Sequence, residues 1–396
     1  MTDATALEGI RVLDLGQIYA GPYAGFLLAM AGADVIKIEP PQGEFLRARA
    51  AVSGGIIPFA MLNANKRSAT LNLKEARGRE LMLRMVREAD ILLENYGAGT
   101  LERLGLGWEV LHAANPRLIY ATVTGYGRSG PFRDYPAMDL TIQAMAGIMS
   151  VTGFPDRPPV KAGPAIVDYM GGVNLYAAIM TALFQRERTG RGQQVEVSLQ
   201  EAIYPALSSN LGLLFGGKGT QRTGNRHGGL ASSPYNVYPS RDGYLAIICI
   251  SEQQWRSLAK VMGQPDLAND PRFATLKDRV RNMDELDSII GAWSAALTKD
   301  EAFQKLILED VPSAPVRDLE EVINDPHMHS RGMLHHVDHP QFGKLVLPSS
   351  PLKLHDAPHP PRQESASLGD HNRQVFEDWL GLSHAEVETL RADGVI

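Results

Sequence analysis

The sequence predicts an α/β fold, with a parallel sheet in a large domain and a smaller α+β domain. Short apolar runs alternate with segments of helical periodicity over residues 11–199, the pattern of a parallel sheet covered by helices on both faces. The pattern changes after Gly216, where a glycine-rich loop leads to another strand and several helical segments. The chain has 396 residues, 44% of them hydrophobic, and this is enough for two domains.

The individual elements follow from local periodicity and from the residues that interrupt it. In the large domain we predict strands at 11–15, 34–39, 68–73, 90–94, 118–124 and 195–199, and helices at 23–31, 75–88, 173–184 and from 200 to 214. Further along we predict a strand at 243–250, a helix at 252–262, helical segments to residue 309, a strand at 344–347 and a final helix. The predicted domains are therefore residues 1–215 and 225–325, and a third segment comprises residues 330–396.

The first strand, helix and strand form a βαβ unit, which raises the question of a dinucleotide cofactor. The dinucleotide fingerprint needs two glycines one residue apart and a third glycine three residues later, so that the backbone approaches the pyrophosphate. The glycines here fall at 16, 21 and 25. We therefore expect no nicotinamide cofactor.

Composition excludes several classes of function. The formal net charge is −6 and the basic residues form no run, which argues against nucleic-acid binding. The N-terminus lacks the basic and apolar regions of a signal peptide, and we expect no apolar run near the ~20 residues of a membrane span. The single cysteine, Cys249, fits a reducing compartment. The expected location is the cytoplasm, with no membrane partner.

Asp168 is the most informative candidate for chemistry. It follows the apolar pair Ile166 and Val167 and precedes an apolar helical run. A carboxylate at the mouth of a buried helix is partly desolvated yet close to backbone donors, and one that stays ionised there is a usable nucleophile. Aspartate is also a favoured helix N-cap. The local sequence alone leaves both interpretations open.

Other reactive residue types favour structural interpretations. Cys249 lies in an apolar run without a basic neighbour in sequence, as an inert core thiol does. Ser129 lacks the Gly-x-Ser-x-Gly order of a nucleophile elbow. Five histidines crowd one region, at positions 327, 329, 335, 336 and 339, but they lack the ligand spacing of a zinc site. We expect no metal.

Several basic residues lie near ends of the predicted strands: Lys37, Lys66, Arg67, Lys74 and Arg103. Ligands bind at the carboxyl ends of strands in folds of this class. Singly, each is a solvated surface charge. Together they are candidates to hold a phosphorylated ligand without a Walker motif.

Many separated segments resemble one family. They are residues 13–16, 20–22, 32–39, 65–68, 71–74, 94–96, 125–127, 130–131, 153–154, 165–168 and 189–193. By these segments the chain resembles the class III CoA-transferases, the CaiB/BaiF-like superfamily of formyl-CoA transferase and carnitine-CoA transferase. The resemblance implies a Rossmann-like large domain with a parallel sheet formed from both chain ends, so that residues 330–396 complete it. It also implies an interlocked homodimer.

The same resemblance implies a function and a site. Asp168 matches the nucleophile, which forms a mixed anhydride and then an aspartyl-CoA thioester while CoA moves from an acyl-CoA to a carboxylic acid. No cofactor is bound permanently, since the CoA thioester is a substrate. The residues that match substrate- or CoA-binding positions are Gln17, Ile18, Tyr19, Ala20, Leu71, Lys74, Asn95, Tyr96, Arg103, Ala137 and Met138.

Departures from the family pattern bear on the alternatives. Formyl-CoA transferase has a glutamine at the position of Tyr19 and a richer glycine run than residues 227–231, and both differences weigh against formyl or oxalyl transfer. Acyl-CoA racemases of the superfamily have a histidine where this chain has Met138, and a thioether cannot move protons. A racemase or isomerase, and a non-catalytic CoA-binding subunit, remain as the alternatives to a transferase.

Overall fold

The structure, a computed structural model, describes residues 4–49, 57–219, 221–339 and 342–396. Up to residue 213 the elements are β1 (Arg11–Asp14), α1 (Ala20–Met30), β2 (Asp34–Glu39), α2 (Phe45–Ala48), α3 (Ile57–Leu62), β3 (Arg67–Thr70), α4 (Ala76–Glu88), β4 (Ile91–Glu94), α5 (Thr100–Arg103), α6 (Trp108–Ala114), β5 (Ile119–Thr124), α7 (Asp139–Met145), α8 (Ile148–Val151), α9 (Ile166–Thr189), β6 (Gln193–Ser198), α10 (Leu199–Ile203) and α11 (Ser208–Leu213).

The remaining elements are β7 (Tyr235–Ser240), β8 (Gly243–Ile248), α12 (Glu252–Val261), α13 (Leu276–Arg281), α14 (Met283–Ser294), α15 (Lys299–Ile307), β9 (Ser313–Pro315), α16 (Leu319–Ile323), α17 (Pro326–Ser330), β10 (Leu334–His339), β11 (Gly343–Pro348), α18 (Asn372–Leu380) and α19 (His384–Ala392). They divide into two compact units. The first comprises residues up to 142, 164–203 and 325–396, and the second comprises residues 143–163 and 204–324. Residues 143–163 and 204–215, which we expected in the large domain, thus belong to the second unit.

The first unit is built on a six-stranded parallel sheet with the order β3-β2-β1-β4-β5-β6. This is the strand order of doubly wound dinucleotide-binding folds. Strands β4 and β5 are buried along their whole length, as strands covered by helices on both faces must be, and they accordingly read as continuous apolar runs. The order reverses between β1 and β4, so the crevice beyond the carboxyl ends of these two strands is the expected ligand site.

The expectation that both chain ends contribute strands to this sheet is wrong. All six strands come from residues 11–198. The C-terminal segment instead caps the edge strand β3, where His371 donates its backbone N–H to Ser68 at 2.9 Å and the Asn372 side chain accepts from the Thr70 amide at 2.7 Å. Helices α18 and α19 then bury apolar residues in the core of this unit, among them Val375, Phe376, Trp379, Val387 and Leu390. The tail therefore supplies helices that cover an edge, together with the separate β10–β11 hairpin.

Helix α9 begins seven residues before the predicted apolar run and is 24 residues long. By length and composition it could cross a membrane, so the expectation that no segment approaches that length is wrong for α9. One such helix is weak evidence for a membrane span, because core helices of soluble proteins satisfy the same criteria. Its buried positions recur at helical spacing, as Val167, Gly171, Leu175, Ile179 and Leu183 show, and the helix packs against α1, β5 and β6.

The second unit contains a three-stranded antiparallel sheet in the order β7-β8-β9, covered by helices. We predicted only β8 of these strands. Strand β7 contains Pro239, and a proline within a sequence segment argues against a strand. Because β7 is an edge strand, the missing N–H is tolerated. The predicted helix from 200 to 214 is broken into α10, a 3₁₀ turn at Tyr204–Leu207 and α11. The turn contains Pro205, which cannot donate the helical hydrogen bond.

Candidate active site

Two neighbouring cavities of the first unit lie at the reversal of strand order. One has a volume of about 350 Å³ and contains Asp168, and the other has a volume of about 440 Å³. Gln17, which follows β1, and Tyr96, which follows β4, line both cavities. The position agrees with the general rule that ligands bind where the strand order of an open α/β sheet reverses.

The structure brings every predicted site residue to one of these two cavities. The cavity with Asp168, which we call the acid cavity, is lined among others by Gln17, Ile18, Tyr19, Ala20, Asn95, Tyr96, Ala137 and Met138. The second, which we call the basic cavity, is lined among others by Gln17, Leu71, Lys74, Tyr96 and Arg103. Gln17 and Asp168, 151 positions apart in sequence, therefore meet at one sheet edge, because parallel strands place their carboxyl ends side by side.

Asp168 occupies the first turn of α9 and is 8% exposed. Burial, and to a lesser degree the nearby Asp139 carboxylate, raise the pKa of its carboxyl to about 7. Near neutral pH this carboxylate is therefore poised between its charged and neutral forms. An anion with little solvation is a better nucleophile than a hydrated one.

The hydrogen bonds of Asp139 exclude the N-cap interpretation of Asp168. The N-cap position of α9 is Ala165, which has no side-chain cap. Instead the Asp139 carboxylate accepts hydrogen bonds from the backbone N–H groups of Val167 at 2.9 Å and of Asp168 at 3.3 Å. The cap thus comes from another helix, and the Asp168 carboxylate is not used as an N-cap. Sequence reasoning missed this role, since its only local signal is an aspartate at the start of a helix.

The loop between β1 and α1 is held in a strained conformation. Ile18 has φ = +64°, which is a genuine outlier for a β-branched residue and costs about 1–3 kcal/mol. The Asn95 side chain accepts from Gln17 N at 2.6 Å and donates to Gln17 O at 2.8 Å. The Glu44 carboxylate accepts from Ile18 N at 3.2 Å. Asn95 therefore uses both ends of its amide to hold the loop that separates the two cavities.

Aromatic rings stand beside the nucleophile candidate. Tyr169 lies 6.0 Å from Tyr19 and 4.9 Å from Tyr23, measured between ring centroids. Burial raises the pKa of Tyr169 well above its ordinary value, so this phenol stays neutral. Of these three rings, only that of Tyr19 lines the acid cavity.

The predicted cluster of five cations is only partly correct. Lys66 is paired with Asp14 at 2.7 Å, and Arg67 is paired with Asp34 at 2.5 Å. Lys37 is 1% exposed and donates to a backbone carbonyl. These three side chains bind groups of the protein itself, and none of them lines the acid or the basic cavity. Lys74 and Arg103 alone of the five line the basic cavity.

Sequence reasoning also missed two cations. A third cavity of about 440 Å³ adjoins the other two and is lined by Arg103, Arg128 and Arg133 together with Glu102. Arg133 also lines the acid cavity. Both arginines lie in the segment after β5, but outside residues 125–127 and 130–131, through which this segment resembles the family.

The remaining reactive residues lie in structural roles. Cys249 is buried, and burial raises the pKa of its thiol to about 12, so it stays protonated. The rings of His329 and His336 stack at 4.9 Å, and His339 stacks on Phe342. Within the part of the chain that the structure describes, no three His, Cys, Asp or Glu side chains are grouped to hold a metal ion.

Comparison with known proteins identifies the family of the chain. The sequence profile of CoA-transferase family III matches residues 7–372. The chain is 37% identical over 408 residues to formyl-CoA:oxalate CoA-transferase of Streptomyces avermitilis, covering 99% of each chain. It is 38% identical over 395 residues to succinyl-CoA–D-citramalate CoA-transferase of Chloroflexus aurantiacus, covering 98% of each.

A solved structure shows the same fold. The crystal structure of a CAIB/BAIF family protein from Brucella suis superposes with a TM-score of 0.83 at 35% identity, over 95% of this chain and 99% of that one. Three findings agree on the family: the profile that matches most of the chain, the full-length relatives and the shared fold. The chain belongs to CoA-transferase family III and is a class III CoA-transferase.

Proposed function

We propose that this enzyme moves CoA from an acyl-CoA to a small carboxylic acid and that Asp168 is its nucleophile. The observation that carries the proposal is the placement of Asp168: a buried carboxylate, not used as a helix cap, that lines a cavity next to a second cavity with basic residues. The relatives named above act on acyl-CoA and carboxylate pairs, which supports the substrate class.

The proposed sequence has four acyl transfers. The Asp168 carboxylate attacks the thioester carbonyl of the donor, the C–S bond breaks, and a mixed anhydride and CoA thiolate result. The thiolate then attacks the aspartyl carbonyl, which releases the donor acid and leaves an aspartyl-CoA thioester. The acceptor carboxylate attacks this thioester and forms a second anhydride, from which the thiolate takes the new acyl group. Asp168 is regenerated as a carboxylate, so atoms and charge balance.

Each step uses a property of the site. Burial keeps water away from the anhydride, which water would otherwise hydrolyse. The loop with Gln17 and Tyr19 lies between the basic cavity, where we place the phosphate-bearing part of CoA beside Lys74 and Arg103, and the acid cavity, where we place the thioester. Met138 lines the acid cavity, and its thioether offers no proton-transfer group, which favours transfer over racemisation.

Trapping tests the nucleophile. Hydroxylamine added during turnover should convert the activated aspartyl group to a hydroxamate, and peptide mass spectrometry should find it at Asp168. Asp168→Asn should abolish both transfer and labelling while Asp156→Asn, at an exposed position, retains both. Turnover by the Asp168→Asn variant at the wild-type rate, or labelling elsewhere, would contradict the mechanism.

We also propose that the enzyme is a homodimer with interlocked subunits. Helix α9 exposes the large apolar residues Met170, Val173 and Phe184, and exposed apolar side chains on one helix favour a partner. Interlocked subunits separate only with partial unfolding. Sedimentation over a wide dilution range should therefore show no folded monomer, and a helical monomer at low concentration would contradict the proposal.

A further inference from the structure

Four charged side chains lie buried directly beneath the loop that separates the two cavities. Asp14, Lys37, Glu44 and Lys66 are each 4% exposed or less, and none of them lines the acid or the basic cavity. Lys66 Nζ donates to Asp14 Oδ2 at 2.7 Å. Lys37 Nζ lies 3.9 Å from Glu44 Oε1. The proposed chemistry uses none of these four groups.

Each ion pair is bonded to the backbone of that loop. Asp14 Oδ1 accepts from Gly16 N at 2.7 Å, and Lys37 Nζ donates to Gly16 O. Glu44 Oε2 accepts from Ile18 N at 3.2 Å. The pairs thus bind the donors and acceptors on either side of Gln17, while Asn95, which directly follows β4, binds Gln17 itself. The loop is held from two sides.

A glycine in helix α1 leaves space for the Asp14–Lys66 pair. A Cβ at Gly25 of helix α1 would lie 2.4 Å from Asp14 Oδ2 and 3.0 Å from Lys66 Nζ. Lys66 also donates to Pro22 O at 2.8 Å, in the first turn of the same helix. Helix α1, whose first residue, Ala20, is the last residue of the loop, therefore packs against the pair through a glycine.

Burying such charges is unfavourable for stability. Burial lowers the pKa of Lys66 to about 8 despite the opposing effect of Asp14, and well-packed apolar residues often replace buried ion pairs without loss of stability. Stability alone therefore does not explain the four charges. The strained loop explains them, because a residue at positive φ such as Ile18 keeps that conformation only when its surroundings hold it.

We propose that Lys37 and Glu44, supported by Asp14 and Lys66, are positioning residues that hold the Gly16–Ala20 loop in the conformation that presents Gln17 and Tyr19 to acyl-CoA. The proposal rests on the proposed function, since it assigns the loop a place beside the reacting thioester. Misplacing a substrate-contacting segment by about 1 Å lowers turnover on the order of 100-fold.

Two variants test the proposal independently. Lys37→Met removes the donor to Gly16 O, and Glu44→Leu removes the acceptor for Ile18 N–H, each with a side chain of similar size. We expect kcat to fall on the order of 10- to 100-fold, with a change in KM for the acceptor acid of less than about threefold. Glu44→Gln keeps an acceptor within reach of Ile18 N–H and should restore most of kcat.

Hydrogen exchange distinguishes a local loosening of the loop from a general loss of stability. Amides of residues 16–20 should exchange faster in Lys37→Met and Glu44→Leu, while those of β4 and β5 remain protected. Arg186→Met is the matched control, because Arg186 is 2% exposed at the side chain and pairs with Asp90 at 2.8 Å in the same unit without touching the loop. It should lower stability without changing kcat or exchange at 16–20.

The outcomes separate this proposal from the proposed function. Wild-type kcat and wild-type exchange at 16–20 in either folded variant would overturn the positioning role. A wild-type enzyme that transfers no CoA between any donor and acceptor would overturn the proposed function, and the exchange experiment would still decide whether the ion pairs hold the loop.

Discussion

Replacement of Asp168 by Asn should stabilise the folded protein, and more so at alkaline than at acidic pH. The folded site disfavours the charged carboxylate, because burial and then Asp139 raise its pKa from the ordinary 3.8 to about 7. A difference of about 3 pKa units corresponds to about 4 kcal/mol between protonation states. This cost appears as pH rises from about 4 to about 7, since over that window the folded protein binds more protons than the unfolded chain.

The size of the effect therefore depends on pH. At pH 8 the carboxyl is ionised in both states, and Asn should raise the free energy of unfolding by up to about 4 kcal/mol. At pH 5 the folded-state carboxyl is already neutral while the unfolded one is ionised, and the gain should be about 2 kcal/mol. The assay is urea unfolding followed by circular dichroism at both pH values and at one protein concentration.

The exposed Asp156 provides the control, since Asp156→Asn should give the same small effect at both pH values. A gain from Asp168→Asn that is equal at pH 5 and pH 8, or a loss of stability at pH 8, would refute the reasoning. In that case the Asp168 carboxylate would be solvated in the folded protein, and the argument for a desolvated nucleophile would fail with it.

Three further substitutions test other parts of the site. Asp139→Asn keeps an acceptor for the α9 amides but removes a charge that raises the Asp168 pKa, so the rising limb of the pH–rate profile should move to lower pH; an unmoved limb would contradict the coupling. Gly172→Ala would place a Cβ 2.8 Å from the carbonyl oxygen of the first residue of α1 and should cost about 1–3 kcal/mol in thermal or urea unfolding, whereas Gly212→Ala, in open space within a helix, should not destabilise. Arg103→Ala should raise KM for acyl-CoA by roughly 10-fold or more, as loss of a charged contact to phosphate does, and leave KM for the acceptor acid nearly unchanged; equal effects on both would place Arg103 elsewhere.

Much of the site could be predicted because it depends on where strands end. Gln17 lies three residues after β1, and Asn95 and Tyr96 follow β4. Both strands are short apolar runs that local periodicity reveals. The resemblance to CoA-transferases then singled out residues 17–20, Lys74 and Arg103, and the structure places all of them at the two cavities. Their roles remain proposals that the experiments above address.

The errors share a physical cause. Lys37 and Lys66 have the sequence context of ligand-binding cations, but whether a lysine at a strand end faces a ligand or a buried carboxylate depends on a partner far along the chain. Lys66 meets Asp14 across 52 positions. The C-terminal segment was expected to add strands and instead caps β3 with His371 and Asn372, a choice that depends on the free edge of a sheet formed some 300 residues earlier.

The sequence by itself determined the alternation of strands and helices, the α/β class and Asp168 as a candidate, because these depend on periodicity and on residues that are neighbours in the chain. Only the tertiary structure showed that Asp168 does not cap α9. Asp139, 29 positions away, takes over the capping of α9 and leaves the Asp168 carboxylate in the cavity. Long-range contacts of this kind decide whether a polar side chain supports the fold or faces a substrate, since a hydrogen bond made to one partner is unavailable to another.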